Sequence, residues 1–449
     1  MHQTVRELFR PGGPTARSVF RMSSDDDAHL GIAITCIRYL VLCATNPSLS
    51  DPPEPASWTS DHFEACVRYL HERPFIKYAL SYLEEHLDKS LQATRISGLI
   101  TQVREQLTSG PTSCILQFWF PQEWGQAVAT EKEQHDSKEF RKRLLHTATR
   151  MKRSQVVDVL LIAGAEVEAC LEGKTPLMVS AEIGDWETAG VLLHRGASMT
   201  ANDNDGQTAL HLAAREGHNL VVGLLLDRGA DKEAVDNKRQ TALHLAAANG
   251  QEGNASLLLD RGADKEAADY EGRTALHLAA LNGQEGNASL LLDRGAEIEA
   301  RDAEGRTALH FAASNGSDII VALLLNRGAD KKVTDAYGWQ ALHTAAWDGH
   351  KGTVKLLVEA LSADKEAKDY SGWTALHLAA FCGRNPMVEM IVQNLGANKD
   401  AKDEIGWTAL HFVAALGLKG TAQTLIKILG VNKNAKNNEG KAALDLAQE

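Results

Sequence analysis

The chain has 449 residues, of which 44% are hydrophobic and 24% are charged, and its formal net charge is −12 at pH 7. This length predicts two or more hydrophobic cores unless the chain is an array of repeats. The negative charge argues against a nucleic-acid backbone as the main partner, because phosphate binding needs clustered lysine and arginine. The six cysteines form no Cys-x-x-Cys pair, which indicates reduced thiols in an intracellular protein.

The first 125 residues contain no repeat, and apolar side chains recur there at helical spacing in four stretches. We predict a small helical domain over residues 1–125 and a linker or capping helix over residues 126–142. The apolar run over residues 30–44 contains Arg38 and is too short to span a bilayer. Residues 1–14 lack the apolar core of a signal peptide. We therefore expect an intracellular protein, in the nucleus, the cytoplasm or both.

One basic cluster follows, from Arg141 to Arg153, with the sequence RKRLLHTATRMKR. One interpretation is the solvated face of a capping pair of helices. The alternative is a bipartite-like nuclear import signal, which would make the protein a nuclear adaptor rather than a DNA-binding protein.

The rest of the chain is dominated by self-similarity at a fixed spacing. The first residue of the stretch TALH, or of its variants, recurs at steps of 33 residues five times and then 34 residues three times. These positions are Thr175, Thr208, Thr241, Thr274, Thr307, Gln340, Thr374, Thr408 and Ala442. A degenerate earlier copy begins at Arg143. Residues 241–273 and 274–306 differ at only five positions, which indicates a recent duplication.

Each copy predicts a pair of short helices. Thr241 stands at an N-cap position, where its hydroxyl can accept an orphan backbone N–H, and His244 follows where a capping box places its second residue. A first helix rich in alanine ends at Gly250, and a second helix with a leucine ridge ends at Gly262. Two short helices cannot bury that ridge alone, but stacked copies can.

These residues resemble the ankyrin repeat, because GxTALHLAA, a glycine and LLLxxGA recur over about residues 140–449. The resemblance implies an all-α solenoid of helix-turn-helix repeats with β-hairpin loops, in which the loops and first helices line a concave binding face. We predict nine repeats and a terminal half repeat over residues 143–449, numbered here from the copy at Arg143. The 34-residue steps place one extra residue near the end of the second helix, which should alter curvature locally.

A second resemblance concerns the N-terminal part. The stretch DAHLGIAITCIRYL and the later run SWTSDHFEACVRYLHERPFIKYALSYLEEHL are similar to the segment between the NTP-binding NACHT module and the ankyrin array in fungal innate-immunity-like receptors. In such receptors an NTPase precedes this segment.

Candidate catalytic motifs are weak. Gly173, Lys174 and Thr175 read GKT, but a P-loop needs another glycine where Glu168 stands. Seven anchor histidines recur one repeat apart, too far to share a zinc ion: His211, His244, His277, His310, His343, His377 and His411. We predict a non-enzyme with no cofactor and no metal.

The residue before the anchor threonine changes character along the array. It is polar or basic in repeats two to six and tryptophan in repeats seven to nine. Other nonpolar residues occur in the same turns and near the ends of the same first helices. We predict a protein-binding site at Tyr337, Trp339, Trp347, Tyr370, Trp373, Phe381, Ile405, Trp407 and Leu416. The alternative is that the tryptophans only pack against neighbouring hairpins.

Two functions fit this organisation. The first is a regulatory scaffold that binds protein partners, such as a transcription co-regulator that contacts a DNA-binding factor. The second is the recognition part of a NACHT-type receptor that lacks its NTPase. Neither function involves direct binding of nucleic acid, a membrane or a small-molecule substrate.

Overall fold

The computed structural model describes residues 131–162 and 164–447, together with the isolated Glu64. The predicted domain over residues 1–125 and the second resemblance otherwise lie outside the described residues. The chain divides into two compact units, residues 1–204 and 205–449. Over the ranges just given, the structure contains nineteen α-helices and no regular strand, and its β pairing consists of two isolated bridges. None of the helices there is long and apolar enough to cross a membrane.

The first unit contains four described helices. They are α1 (Glu131–Arg150), α2 (Ser154–Ile162), α3 (Pro176–Ile183) and α4 (Trp186–His194). Helix α1 packs against α2 and α3, and α2 packs against α4. Leu145 and Ala148 of α1 are buried in this contact. Helix α1 is continuous through residue 143, where we placed the boundary between the capping segment and the first repeat.

The second unit alternates first and second helices. The first helices are α5 (Ala209–Glu216), α7 (Ala242–Ala248), α9 (Ala275–Leu281), α11 (Ala308–Asn315), α13 (Ala341–Asp348), α15 (Ala375–Phe381), α17 (Ala409–Ala415) and α19 (Ala443–Leu446). The second helices are α6 (Asn219–Asp227), α8 (Glu252–Asp260), α10 (Glu285–Asp293), α12 (Asp318–Asn326), α14 (Lys351–Lys355), α16 (Asn385–Glu389) and α18 (Lys419–Gln423).

In this unit, first helices stack on first helices and second helices on second helices. Each first helix packs against the next first helix, and each second helix from α6 to α12 packs against the next second helix, as does α16 against α18. Ala246, Ala279 and Ala312 are completely buried between first helices, because a methyl group lets two backbones approach closely. Leu258 and Leu291 on the second helices are also completely buried, as the leucine ridge predicted.

Left-handed glycines end the helices where the sequence predicted. Gly250 and Gly262 both have φ +75°, a conformation that costs glycine little and other residues more. At Gly272, which also has φ +75°, the next repeat adds a second requirement, because a Cβ atom there would lie 2.8 Å from the backbone nitrogen of Ala303.

The extra residue of each 34-residue step is accommodated as a π-helical turn. The turns span Leu356–Ala360, Met390–Asn394 and Thr424–Ile428, directly after α14, α16 and α18. A lysine in the turn before the first helix of the same repeat donates to the carbonyl that follows each π-helical turn, as Lys331 Nζ does to Leu361 O at 2.6 Å. Such a turn inserts one residue without breaking the helix. The change in curvature stays a prediction.

Candidate functional site

The anchor histidines join neighbouring repeats. The backbone N–H of Thr241 donates to His244 Nδ1 at 3.1 Å, and His244 Nε2 lies 3.0 Å from the carbonyl oxygen of Arg273 in the next turn. Because Nδ1 accepts a hydrogen bond, the ring proton must be on Nε2, which donates to the carbonyl. All seven anchor histidines accept the backbone N–H of their anchor residue on Nδ1. Nε2 bonds the carbonyl of the residue before the next anchor in His211, His244, His310 and His411. In His277, His343 and His377 it bonds an alanine carbonyl earlier in that turn, of Ala300, Ala367 and Ala401.

Burial also disfavours the charged form in most of these rings. It is the main cause that lowers the pKa of the imidazole in six of them: His244, His277, His310, His343, His377 and His411. Both ring nitrogens are occupied by backbone groups, so neither can coordinate a metal. Among the described residues, no group of three or more metal-ligating side chains comes together.

The cap differs in one detail from the prediction. Thr175 Oγ1 accepts the backbone N–H of Met178 at 3.3 Å, as expected for an N-cap. In the later repeats the hydroxyl pairs with the histidine instead, and Thr241 Oγ1 lies 2.9 Å from His244 Nδ1. The ring therefore provides the capping contact, which explains why Gln340 can replace threonine: its backbone N–H still reaches His343 Nδ1 at 3.1 Å.

The GKT motif belongs to the turn before α3. Lys174 Nζ lies 2.6 Å from Glu182 Oε1, and the backbone of Lys174 pairs with Leu171. Thr175 is the N-cap of α3. The lysine is thus engaged by a carboxylate of its own repeat.

The basic cluster begins within helix α1. Arg141, Lys142 and Arg143 are half-buried there, and Lys142 forms an ion pair with Glu139 at 2.5 Å. Burial lowers the pKa of the Arg141 guanidinium. These contacts favour the structural interpretation of the cluster, and its use as an import signal stays a prediction.

The position before the anchor residue holds an ion pair in repeats five and six. Arg273 pairs with Asp269 at 2.8 Å and with Glu271 at 2.9 Å, within its own turn. Arg306 pairs with Asp302 in the same way, and its guanidinium lies 4.7 Å from the centre of the Phe311 ring. The guanidinium therefore satisfies the turn carboxylate and covers an aromatic ring at once.

Tryptophan takes this position in repeats seven to nine. The backbone N–H groups of Trp339, Trp373 and Trp407 donate to the aspartate of their own turn at 2.8, 2.8 and 2.7 Å. All three indoles are half-buried. Trp339 Nε1 also donates to Asp369 Oδ2 of the next turn, at 3.1 Å.

The aromatic rings of these repeats form one connected row. The centroids of Trp339 and Trp347 lie 5.3 Å apart, and Trp347 stacks on Phe381 of the next repeat at 5.9 Å. Trp373 lies 5.3 Å from Phe381 and 4.4 Å from Phe412. Such contacts stabilise the fold by about 0.5–1.5 kcal/mol each beyond the area that they bury. The tryptophans therefore do pack, as the alternative interpretation expects.

Other predicted site residues extend beyond this row into solvent. Tyr337 is 61% exposed, Tyr370 71%, Ile405 55% and Leu416 47%. We call all nine predicted residues together the aromatic face: its five rings Trp339, Trp347, Trp373, Phe381 and Trp407 are half-buried, and its four rim residues are exposed.

One member of the cluster was missed from the sequence. Phe412 is buried beneath the row and lies 4.9 Å from Trp407 as well as 4.4 Å from Trp373. The signal was present, because this position is leucine in most copies and phenylalanine at Phe311 and Phe412.

Comparison with known families agrees with the repeat pattern. The family model described as ankyrin repeats (3 copies) matches residues 144–236, 187–269, 233–302, 268–335 and 309–403. The model described as ankyrin repeat matches residues 405–438. No curated protein matches the chain.

Proposed function

The chain belongs to the ankyrin-repeat family, and we propose that it is a non-enzymatic adaptor that binds protein partners through its aromatic face. Ankyrin repeats form a module for protein–protein interaction. The anchor histidines and Lys174 are engaged in structural contacts, which supports a role without catalysis.

The observation that carries the proposal is the exposure of the rim. Tyr337, Tyr370, Ile405 and Leu416 leave about half or more of their surface in water, and they lie in the same repeats as the half-buried rings. Contiguous apolar surface of this kind marks interaction sites. Tyrosine and tryptophan are also enriched among the residues that dominate binding energy.

The chain offers a matched pair of tyrosines for the test. Tyr370 in repeat eight and Tyr270 in repeat five hold the same turn position and are 71% and 70% exposed. Neither Tyr370→Ala nor Tyr270→Ala should change the melting temperature, because little is buried in either case. Partners are captured from cell extract on the wild-type chain, and their affinities for the two variants are then compared. Tyr370→Ala should weaken binding about tenfold or more, and Tyr270→Ala should not. Equal retention by both variants would exclude the aromatic face.

A nuclear co-regulator that contacts a DNA-binding transcription factor is the finer form of this proposal. The basic cluster from Arg141 to Arg153 supports it. Because Arg141, Lys142 and Arg143 are half-buried in α1, their replacement in the whole protein would also disturb folding. The cleaner test fuses residues 141–153 to a fluorescent protein and measures its nuclear fraction. A fusion that distributes like the fluorescent protein alone argues against a nuclear role based on this cluster.

A second candidate is the recognition part of a NACHT-type receptor. Its support is the resemblance within residues 1–125, which the structure does not describe apart from Glu64. If this candidate is correct, the full chain should co-purify with an NTPase, and deletion of residues 1–125 should abolish that association while the array stays folded.

A further inference from the structure

One position in the turn has two chemical solutions along the same array. This position is the residue directly before the anchor residue. In repeats five and six it is an arginine whose guanidinium pairs with the turn carboxylate, as Arg306 does with Asp302 at 2.7 Å. In repeats seven to nine the equivalent carboxylates remain, but a tryptophan replaces the arginine. The aspartates of these turns are Asp335, Asp369 and Asp403, and each accepts two backbone N–H groups of its own turn on Oδ1.

The local charge is therefore negative close to the rings. The five residues that end at each tryptophan, 335–339, 369–373 and 403–407, contain four carboxylates and no basic residue: Asp335, Asp369, Asp403 and Glu404. The ammonium groups of Lys368 and Lys402 are directed to the following turns, where they donate to the carbonyls of Lys402 and Lys436 at 2.8 and 2.7 Å. At the border of the face, Arg384 Nε donates to Trp347 O at 2.7 Å. Asp335 and Asp403 are buried, Asp369 is half-buried and Glu404 is exposed. An aromatic ring has a negative face, so rings beside these carboxylates attract a cation.

The chain itself shows how a guanidinium fits this surface. Arg306 lies over the Phe311 ring at 4.7 Å while it pairs with Asp302, and Arg239 lies 5.8 Å from the centre of the Tyr270 ring. Repeats seven to nine hold more aromatic rings than either example and contribute no guanidinium at the turn position. A partner can supply that group.

The spacing of the repeats defines the form of the partner. Packed helices lie about 8–10 Å apart, so successive tryptophans recur at about that distance. An extended or polyproline II chain advances about 3.1–3.4 Å per residue, so that every third side chain meets the next repeat. We propose that the aromatic face binds an extended segment that presents an arginine at every third residue. This inference rests on the proposed function and adds the chemistry of the partner.

The test uses labelled 12-residue peptides and the full chain, with fluorescence anisotropy as the measurement. The first peptide carries arginine at every third position among serine and alanine. Three others carry citrulline, proline or glutamate at those positions, and a fifth has the same composition as the first with its arginines clustered. The arginine peptide should bind at least about tenfold more tightly than the citrulline peptide, and its affinity should fall as salt rises.

The control variant comes from the array. Trp373→Gln introduces the residue that repeats three and four carry at this position, Gln207 and Gln240, without changing the charge. It should weaken binding of the arginine peptide about tenfold, whereas Arg273→Gln, which places glutamine at the equivalent position of repeat five, should not weaken it. A thermal melt shows whether each variant is folded. If Trp373→Gln does not fold, Tyr370→Ala provides the same comparison on an exposed side chain.

Three results would overturn the inference: equal binding of the arginine and citrulline peptides, tighter binding of the proline or glutamate peptide, or no preference for spaced over clustered arginines. If any of these results is obtained while partner capture still depends on Tyr370, only the proposed chemistry of the partner is rejected. Partner capture that does not depend on Tyr370 removes the proposed function as well.

Discussion

Replacement of Asn287 by valine should stabilise the array, although it removes two hydrogen bonds. Asn287 is completely buried on α10, and its Nδ2 donates to Ala246 O and Ala247 O of the preceding first helix at 3.1 and 3.2 Å. Its Oδ1 atom is buried without a hydrogen-bond partner. Equivalent positions in other repeats hold Val221 and Ile320, which are also completely buried, so the fold accepts an apolar side chain there.

The expected change in the free energy of unfolding is the sum of opposing contributions. Loss of the two bonds costs about 1 kcal/mol each, because both exchange with water on unfolding. Removal of the unpaired Oδ1 restores about 1 kcal/mol or more, and burial of a valine side chain contributes about 1.5–2 kcal/mol. The net change is about 1 kcal/mol in favour of Asn287→Val, or a rise of about 2–4 °C in melting temperature for a domain of this size.

The near-duplicate repeat supplies the control. Asn254 repeats the same geometry, with Nδ2 at 3.1 and 3.0 Å from Ala213 O and Ala214 O and an unpartnered Oδ1. Asn254→Val should therefore give the same gain, measured by urea titration with hydrogen exchange at α8 and α10. A loss of more than about 1 kcal/mol in either variant would show that the amide-to-carbonyl bonds outweigh the unpaired oxygen, and would refute the reasoning.

Three further outcomes are expected. Ala279→Arg and Ala246→Arg should each destabilise the array by several kcal/mol, because both methyl groups are completely buried between first helices; an unchanged melting curve would contradict the stacking. The protein should show no ATP turnover that depends on Lys174, as a comparison with Lys174→Ala would show. Stability should fall as the solution becomes more acidic, because six of the buried anchor histidines have folded pKa values below 6.5 and the unfolded chain therefore binds more protons. Their contribution to stability is complete above about pH 6.5 and is lost as the pH drops through the folded pKa values. Urea midpoints that do not change from about pH 7.5 to about pH 5 would contradict this.

The sequence could predict the repeat, because its signals are local and recur. The anchor threonine, the alanines of the first helix and the glycines after each helix all lie where spacing placed them, as Gly250 and Ala279 illustrate. The π-helical turns could not be predicted in the same way. A single extra residue can form a bulge, a longer loop or a wider helical turn, and only the backbone after α14 shows that it forms a π-helical turn.

The protein-binding site stays a prediction, and the sequence could not show which of its side chains pack and which are exposed. Trp339, Trp373 and Trp407 looked alike in the sequence, and either packing or binding could explain them. Their contacts show that the indoles pack while leaving an exposed edge, and that the free surface is largest at side chains such as Tyr370. The spacing of residues in the sequence does not show which side chains are packed and which are exposed, because exposure depends on how far each side chain extends past its neighbour.

Substitution of a packed ring and substitution of an exposed rim residue should therefore have different effects. Trp373→Ala removes ring contacts with Phe381 and Phe412 at 5.3 and 4.4 Å, so it should lower the melting temperature as well as the affinity. A half-buried tryptophan in such a cluster should cost about 2–3 kcal/mol of stability, less than the 3–5 kcal/mol typical of a fully buried one. Tyr370→Ala should lower the affinity alone, because the tyrosine is 71% exposed. Thermal melts and binding titrations on the same preparations decide the point. If Trp373→Ala leaves the melting temperature unchanged, the rings do not support the fold; if Tyr370→Ala lowers it as much as Trp373→Ala does, the rim is part of the packing and not a free surface.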